Sequence, residues 1–385
     1  MNFSFSQEQL AVEEKAKQFA EKEISPFLSE LEFDLVFRQE LFQKMAREGF
    51  FLLTVPKAHG GNFTDSLAYV LAMKSIAKAD AGIAVTIAVT NMVAEAISIY
   101  GSDFQIKKYI PKIAAGECIP LAFALTEPLA GSDAKSIQTF AKTIGEEYLI
   151  EGEKKFITNG DLAKLMIVLA KTESDHTSSE ITAFLLERPT DGLEVIKKEN
   201  KLGLLTANLA SLRLRCLVSK DQLLGKKGEG LKIALRSLDS GRIGIAAQSI
   251  GIAEAAYEAA LKFAKERHQF GHAICENQAI AFSLADMKVK LSCAELLLYK
   301  AAWLRDQGAP YTLEASEAKL YCSEIANQIA GDALQIHGGY GYVKDCSAEK
   351  YFRDARVTTL YEGTSEIQRL IISRHILNAT PDAKR

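Results

Sequence analysis

The chain has 385 residues, 48% of them apolar, which suits two or three domains, or one long helical body carrying an insertion. A net charge of −3 and a pI near 6.2 argue against a nucleic-acid or anionic-membrane binder, in which a basic patch dominates. Cys118, Cys216, Cys275, Cys293, Cys322 and Cys346 are scattered with no CxxC pair, so free thiols in a reducing compartment are expected rather than a zinc site or a disulfide framework.

The N-terminal stretch MNFSFSQEQLAVEEKAKQFAEKEISPFL has many acids and no apolar core of the signal-peptide type. It reads as a surface helix whose apolar face includes Leu10, Val12 and Phe19, and a cytoplasmic location is expected. RQELFQKMAREGF, DSLAYVLAMKSIAKA and SDFQIKKYIPKIAAG also repeat apolar residues at helical spacing, with VPKAHGGNF as a loop between them. The most hydrophobic window, residues 81–100, is interrupted by Asn91 and Glu95 and reads as a buried core helix rather than a membrane span.

Near Ile119 the pattern changes to short β-branched or alternating runs: IPLAFALTE, IQTFAKTIGEEYLIEGEKKFITNG, KLMIVLAKTE, EITAFLLERP and NLASLRLRCLV. No helical pattern separates them, so a parallel Rossmann sheet is not expected. Helical periodicity returns near Gly228 in a very long segment, 229–270, followed by 277–308, 312–339 and the stretch after Ser365. The expected fold is therefore α+β and mainly α: an N-terminal helical domain (1–120), a small β-domain (121–227) and a C-terminal four-helix bundle (228–385). A groove between β-domain and bundle suits a large ligand.

Walker, GxGxxG, GxSxG and HExxH motifs are absent. Of His59, His176, His268, His272, His337 and His375, only His268 and His272 are four apart, and Gly271 indicates that the helix has already ended; no metal is expected. In ALTEPLAGSDA, Thr126, Gly131, Ser132 and Asp133 form either a plain turn or a set of backbone N–H groups able to hold an anion or a polar ring edge. Asp239 and Arg242, at i and i+3 in LDSGRIG, form an ion pair or a polar notch on one helix face. QIHGGYGY is a helix end, or a backbone surface open to a phosphate or an adenine. Ser365 to Gln368 reads as a capping box, and Glu362 just ahead of it is either a partner of the helix dipole or a base at the mouth of a site.

FALTEPLAGSDA, FITNG, LDSGRIGIAAQ, ERHQFG, LQIHGGYGY and RDARVTTLYEGTSEIQR, in this order, resemble the acyl-CoA dehydrogenase family of flavoproteins, most of all its short-chain (butyryl-CoA) branch. The resemblance implies FAD between β-domain and bundle. It places Phe123, Leu125, Thr126, Gly131 and Ser132 along the flavin ring, and Phe156, Ile157 and Thr158 over its other part, with Phe156 where many relatives have Trp. Arg267 would reach the FAD pyrophosphate of a neighbouring subunit, Gln335, Ile336, His337, Gly338 and Gly339 would receive the adenosine end from a partner chain, and Phe270 and Gln278 would be further FAD contacts; Thr364, Ser365 and Glu366 would meet the pyrophosphate at a helix N-terminus. Ser132, Asp239, Ser240, Gly241 and Arg242 would hold the CoA arm, and Gly363 would let the thioester come close.

In the family Glu362 matches the base that removes the α-proton while the β-hydride passes to flavin N5, giving a trans-2-enoyl-CoA from a short straight or branched acyl-CoA. The thioester carbonyl would be hydrogen-bonded by the base residue's own N–H and a flavin ribityl hydroxyl. Some branches carry the base at the position of Gly241, where glycine cannot serve. The resemblance further implies an electron-transferring flavoprotein as partner and a homotetramer. Oxygen as acceptor, a carrier-bound acyl chain, or a scaffold without flavin are the alternatives. Two departures from the family pattern stand out. LLTANLAS (204–211) replaces a Ser-Asp-Thr turn, and Glu95, near the family's acyl pocket, lies either on a solvated far face or against that pocket.

Overall fold

A computed structural model describes residues 4–173 and 180–378; His176 lies outside them. The N-terminal part holds α1 (Gln7–Phe19), α2 (Leu28–Phe33), α3 (Leu35–Arg47), α4 (Ser66–Ala79), α5 (Ala81–Tyr100) and α6 (Asp103–Ala114). Ser6 and Gln9 form a reciprocal capping box on α1, and Asp80 caps α5 by accepting from the Ile83 N–H. α5 is long and apolar enough to cross a membrane, yet it is buried by α4, α6 and the C-terminal helices. Asn91 is pinned inside it, donating to the carbonyls of Phe50 (2.8 Å) and Ile87 (3.0 Å) and accepting from the Thr54 N–H. A buried amide satisfied in this way is tolerated in an apolar core, and the core-helix reading holds.

The β-domain comprises β1 (Leu121–Ala124), β2 (Phe140–Ile144), β3 (Glu147–Thr158), β4 (Leu165–Thr172), β5 (Glu180–Glu187), β6 (Leu193–Lys198), β7 (Leu209–Ser219) and β8 (Leu223–Leu224). They form one mixed sheet in the order β6-β7-β3-β2-β4-β5-β8, with β1 beside β4. Only the β1–β4 and β2–β4 pairs are parallel. The sequence does not announce β6, because LEVIKK is a short edge strand carrying charges on a half-exposed face.

Four long helices follow: α7 (Gly230–Glu266), α8 (Gln278–Asp306), α9 (Thr312–His337) and α11 (Ser365–Asn378), with the short α10 (Ser347–Arg356) before the last. The sequence reading missed α10, which is only ten residues long and half charged. It also ran α7 four residues too far. The chain leaves the helix at Arg267 and makes a small hairpin of β9 (His268–Gln269) and β10 (His272–Ala273), with left-handed Phe270 and Gly271 at its turn. His268 and His272 are thus on a hairpin, and among the described residues no group of three or more His, Cys, Asp or Glu could hold a metal ion. Small residues let α7 pack closely: a Cβ on Gly251 would meet the Lys74 carbonyl at 2.6 Å.

The LLTANLAS departure lies where the three parts meet. Leu204 is left-handed and its N–H donates to Asp354 at 2.6 Å; the Thr206 hydroxyl donates to buried Asp80, which also pairs with Lys350 at 2.9 Å. The turn therefore locks β-domain, α5 and α10 together.

Candidate active site

A cleft of about 610 Å³ opens between the β-domain and the C-terminal helices, and α5 adds Val89 and Met92 to its lining. Its β-domain wall contains Phe123, Leu125, Thr126, Gly131, Ser132, Phe156 and Thr158. The loop after β1 is pinned to β3: buried Lys154 donates to the Leu125 carbonyl (3.1 Å) and to Glu127 (2.8 Å), and the Lys155 N–H donates to the Thr126 carbonyl (2.8 Å). Glu127 also accepts from the N–H groups of Gln138 and Thr139. The β3–β7 register shifts between Lys154 and Ile157, where Phe156 takes φ 58°. Phe156 and Thr158 then face the cleft, with the Phe156 ring 54% exposed. Ile157 does not share that wall: its side chain is buried in the β-domain core, because alternate strand residues point to opposite faces.

Glu362 stands on the opposite wall in a turn where both it (φ 52°) and Gly363 (φ 90°) are left-handed. Such a conformation costs a non-glycine residue about 1–3 kcal/mol unless its surroundings hold it. Gln368 Nε2 donates to the carbonyls of Glu362 (3.1 Å) and Gly363 (3.0 Å), and Lys319 Nζ donates to the Gly363 carbonyl at 2.6 Å. A Cβ on Gly363 would meet Gln368 Nε2 at 2.6 Å, so the turn itself calls for glycine here. The expected capping box is also revised. Thr364 is the cap, accepting from the Ile367 N–H at 3.3 Å, while Gln368 is committed to the turn and the Ser365 hydroxyl is buried without a partner. Glu366 is exposed.

The Glu362 Oε2 is buried and has no hydrogen-bond partner among the described residues. Loss of solvent pushes the carboxyl up to about 7, against the opposing pull of the positive Arg242 and Lys319. Gly241 makes room for it: a Cβ there would lie 2.7 Å from Oε2 and 3.1 Å from Cδ. A carboxylate borne at 241 would thus point to the same place.

Of residues 239–242, only Arg242 lines the cleft. Its guanidinium is buried and paired with Asp239, which accepts from the Thr312 hydroxyl at 2.8 Å. Ser240 turns the other way and donates to Glu95 at 2.7 Å; Arg305 bonds both, at 3.0 Å to Ser240 and 2.7 Å to Glu95. Glu95 is therefore not on a solvated face.

A second groove, of about 540 Å³, shares no lining residue with the cleft. Arg267, Ile336, His337, Gly338 and Gly339 line it; the Arg267 guanidinium lies 5.3 Å from the Tyr340 ring centroid, and His337 stacks on Phe263 at 4.5 Å. Cβ atoms on Gly338 and Gly339 would meet nothing within 4 Å, so the backbone there is open to a ligand. Phe270 is 96% exposed at the hairpin tip, and Gln278 and Gln335 are exposed nearby in the chain. Sequence reasoning missed Lys319, Gln368, Met92 and Tyr361. The signal for Lys319 was present: a lysine on a helix face otherwise made of Ala315, Cys322 and Ala326.

The chain matches family models for the N-terminal (residues 6–117), middle (122–216) and C-terminal (228–377) domains of acyl-CoA dehydrogenase. It is 45% identical over 377 residues to "Acyl-CoA dehydrogenase" of Bacillus subtilis, covering 97% of this chain and 99% of that protein. It is 42% identical to a subunit of the caffeyl-CoA reductase–Etf complex of Acetobacterium woodii, covering 97% and 99%. The butyryl-CoA dehydrogenase structure from Megasphaera elsdenii superposes with a TM-score of 0.93 at 38% identity, over 98% of this chain and all of that one.

Proposed function

The chain belongs to the acyl-CoA dehydrogenase family, and on that premise we propose that it oxidises a short-chain acyl-CoA to the trans-2-enoyl-CoA with Glu362 as the base. The observation that carries this reading is the buried, unpaired carboxylate oxygen of Glu362 on the cleft wall. A base that works near neutrality needs a raised pKa and no competing partner, and Glu362 has both. The similarity to short-chain and butyryl-CoA dehydrogenases supports a short acyl chain, and Val89 and Met92 give the cleft an apolar lining for it.

The residues present fit FAD. Phe156 offers an exposed flat face, Gly131 leaves its backbone open with no atom within 4 Å of a would-be Cβ, and Thr364 begins a helix whose N-terminus suits a phosphate. FAD, when bound, supplies the hydride acceptor. The chain's own residues do the rest. The left-handed turn aims the Glu362 carboxylate at the substrate α-carbon, and the backbone N–H of Glu362 donates to the thioester carbonyl as negative charge develops there. Arg242, held by Asp239, keeps the carboxylate ionisable in a dry site, and Tyr361, its phenol bonded to Gln248, stays neutral beside it.

The second groove supports FAD contacts that cross subunits, each copy lending Arg267 and Gln335 to Gly339 to its neighbour. An exposed stripe of Phe282, Val289, Leu296 and Trp303, seven residues apart along α8, supports a homotetramer in which another copy covers this face. The Etf-complex relative supports an electron-transferring flavoprotein as electron acceptor.

The test is Glu362→Gln. It is expected to bind FAD and butyryl-CoA while anaerobic bleaching of the flavin slows by at least about 1,000-fold, within the range general-base catalysis supplies. Near-normal bleaching would remove the assignment.

A further inference from the structure

Among the described residues, Lys319 is a buried cation that the proposed mechanism leaves without a task. Lys319 is fully buried on α9, its Nζ donates to the Gly363 carbonyl at 2.6 Å, and among the described residues no carboxylate lies in ion-pair contact with it. An ammonium held by a carbonyl and not by a carboxylate is an unfavourable thing to bury. Its surroundings show what it does. The charged groups acting on it are Glu362, Glu366 and Glu324, with Arg242 as the one like charge. Those acting on Glu362 are Arg242 from α7 and Lys319 from α9, while the phenols of Tyr69 and Tyr361, both near Glu362, are held neutral by burial.

We propose that Lys319 is a positioning residue for Glu362: it clamps the Gly363 carbonyl and sets a fixed positive charge behind the carboxylate. The proposal rests on Glu362 being the base. The clamp argument is geometric. Among the described residues, two side chains, Gln368 from α11 and Lys319 from α9, bond to the carbonyls of these two successive left-handed residues, so the turn is strung between two helices. The charge argument follows from the same placement: an opposite charge near a buried carboxylate favours its ionised form. Loss of solvent pushes Lys319 itself down to about 8, so it remains charged where Glu362 ionises.

Two variants separate the roles. Lys319→Gln keeps a donor for Gly363 and removes the charge; Lys319→Met removes both. Two readouts are followed against pH in the FAD-loaded enzyme. One is the anaerobic rate of flavin reduction by butyryl-CoA. The other is the pH-dependent absorbance perturbation of the oxidised flavin, taken as the part that Glu362→Gln is expected to abolish. Both acid limbs are expected to move up together by about one pH unit in each variant, and Lys319→Met alone should also lose about tenfold in plateau rate, as a misplaced reacting group does. An unmoved titration in Lys319→Gln would overturn the proposal, since a merely structural lysine lowers rate or melting temperature without shifting a limb. A spectral titration that moves while the rate limb stays would instead overturn Glu362 as base and leave the Lys319 contact standing. Should Lys319→Met fail to fold, Lys319→Gln carries the decision.

Discussion

Gly241→Ala isolates the placement of the Glu362 carboxylate from every other property of the site. The added methyl would sit 2.7 Å from Glu362 Oε2, 3.1 Å from its Cδ and 3.2 Å from Met92 Sδ. Non-bonded heavy atoms settle near 3.5 Å, so the carboxylate must retreat by about 0.8 Å, and Met92 blocks the alternative of moving the helix toward α5. Gly241 lies inside α7 with ordinary helical backbone, where alanine is about 1 kcal/mol better than glycine, so the fold itself should not suffer. A misplacement of about 1 Å at a reacting group costs about 100-fold. The expected outcome is a fall of about 10- to 100-fold in the rate of anaerobic flavin reduction by butyryl-CoA, read by stopped-flow, with FAD content and melting temperature unchanged or better. A variant that keeps its FAD and reduces it at the wild-type rate would refute the reasoning.

Two further outcomes follow from the same carboxyl. The rate of flavin reduction should rise with pH through about 7 and then level, because Glu362 is protonated, and so unable to accept the α-proton, below that point; a limb near the ordinary carboxylate value would contradict the burial argument. Stability should carry the opposite sign. The folded state raises this pKa from 4.5 to about 7, so protonation stabilises it fully below 4.5 and that contribution is lost as pH rises to 7. In urea denaturation Glu362→Gln should therefore match the wild type near pH 4 and exceed it at pH 8 by at most about 3–4 kcal/mol, at 1.36 kcal/mol per pKa unit.

What could be read from the sequence divides by the range of the forces involved. The long helices announced themselves because an apolar face repeats over several turns; α10 and β6 did not, because both are short and carry charge where the pattern needs an apolar residue. The cap at α11 shows the same limit. Ser365 and Gln368 satisfy the local spacing rule, but Gln368 spends its amide on the Glu362 turn and Thr364 takes the cap. Phe156 and Thr158 share the cleft wall, whereas strand alternation puts the Ile157 side chain, which the motif groups with them, into the core. Glu362 was legible as the residue that matches the family base, in a motif that also holds Asp354 and Glu366; the contact of Lys319 with the neighbouring Gly363 carbonyl joins residues 44 apart in sequence, so only the lysine's place on an apolar helix face pointed to it.

The segment from Asp239 to Arg242 shows how much one helical turn can settle. Successive residues on a helix point about 100° apart, so four neighbours can serve four directions at once. Gly241 faces the carboxylate and gives it room, and Arg242 lines the cleft beside it. Asp239, steadied by Thr312, keeps Arg242 paired, and Ser240 reaches back to Glu95 and Arg305 behind the wall. The pKa of Glu362 is then a balance among elements: burial by the packed helices raises it, Arg242 from α7 and Lys319 from α9 lower it, and neither cation touches Oε2 to quench it. A direct ion pair would have left the carboxylate stable and useless as a base; charges held at a remove leave it ionisable and free. The unpaired oxygen is the feature the surrounding packing has to defend, and Gly241 is the residue whose change tests that defence most directly.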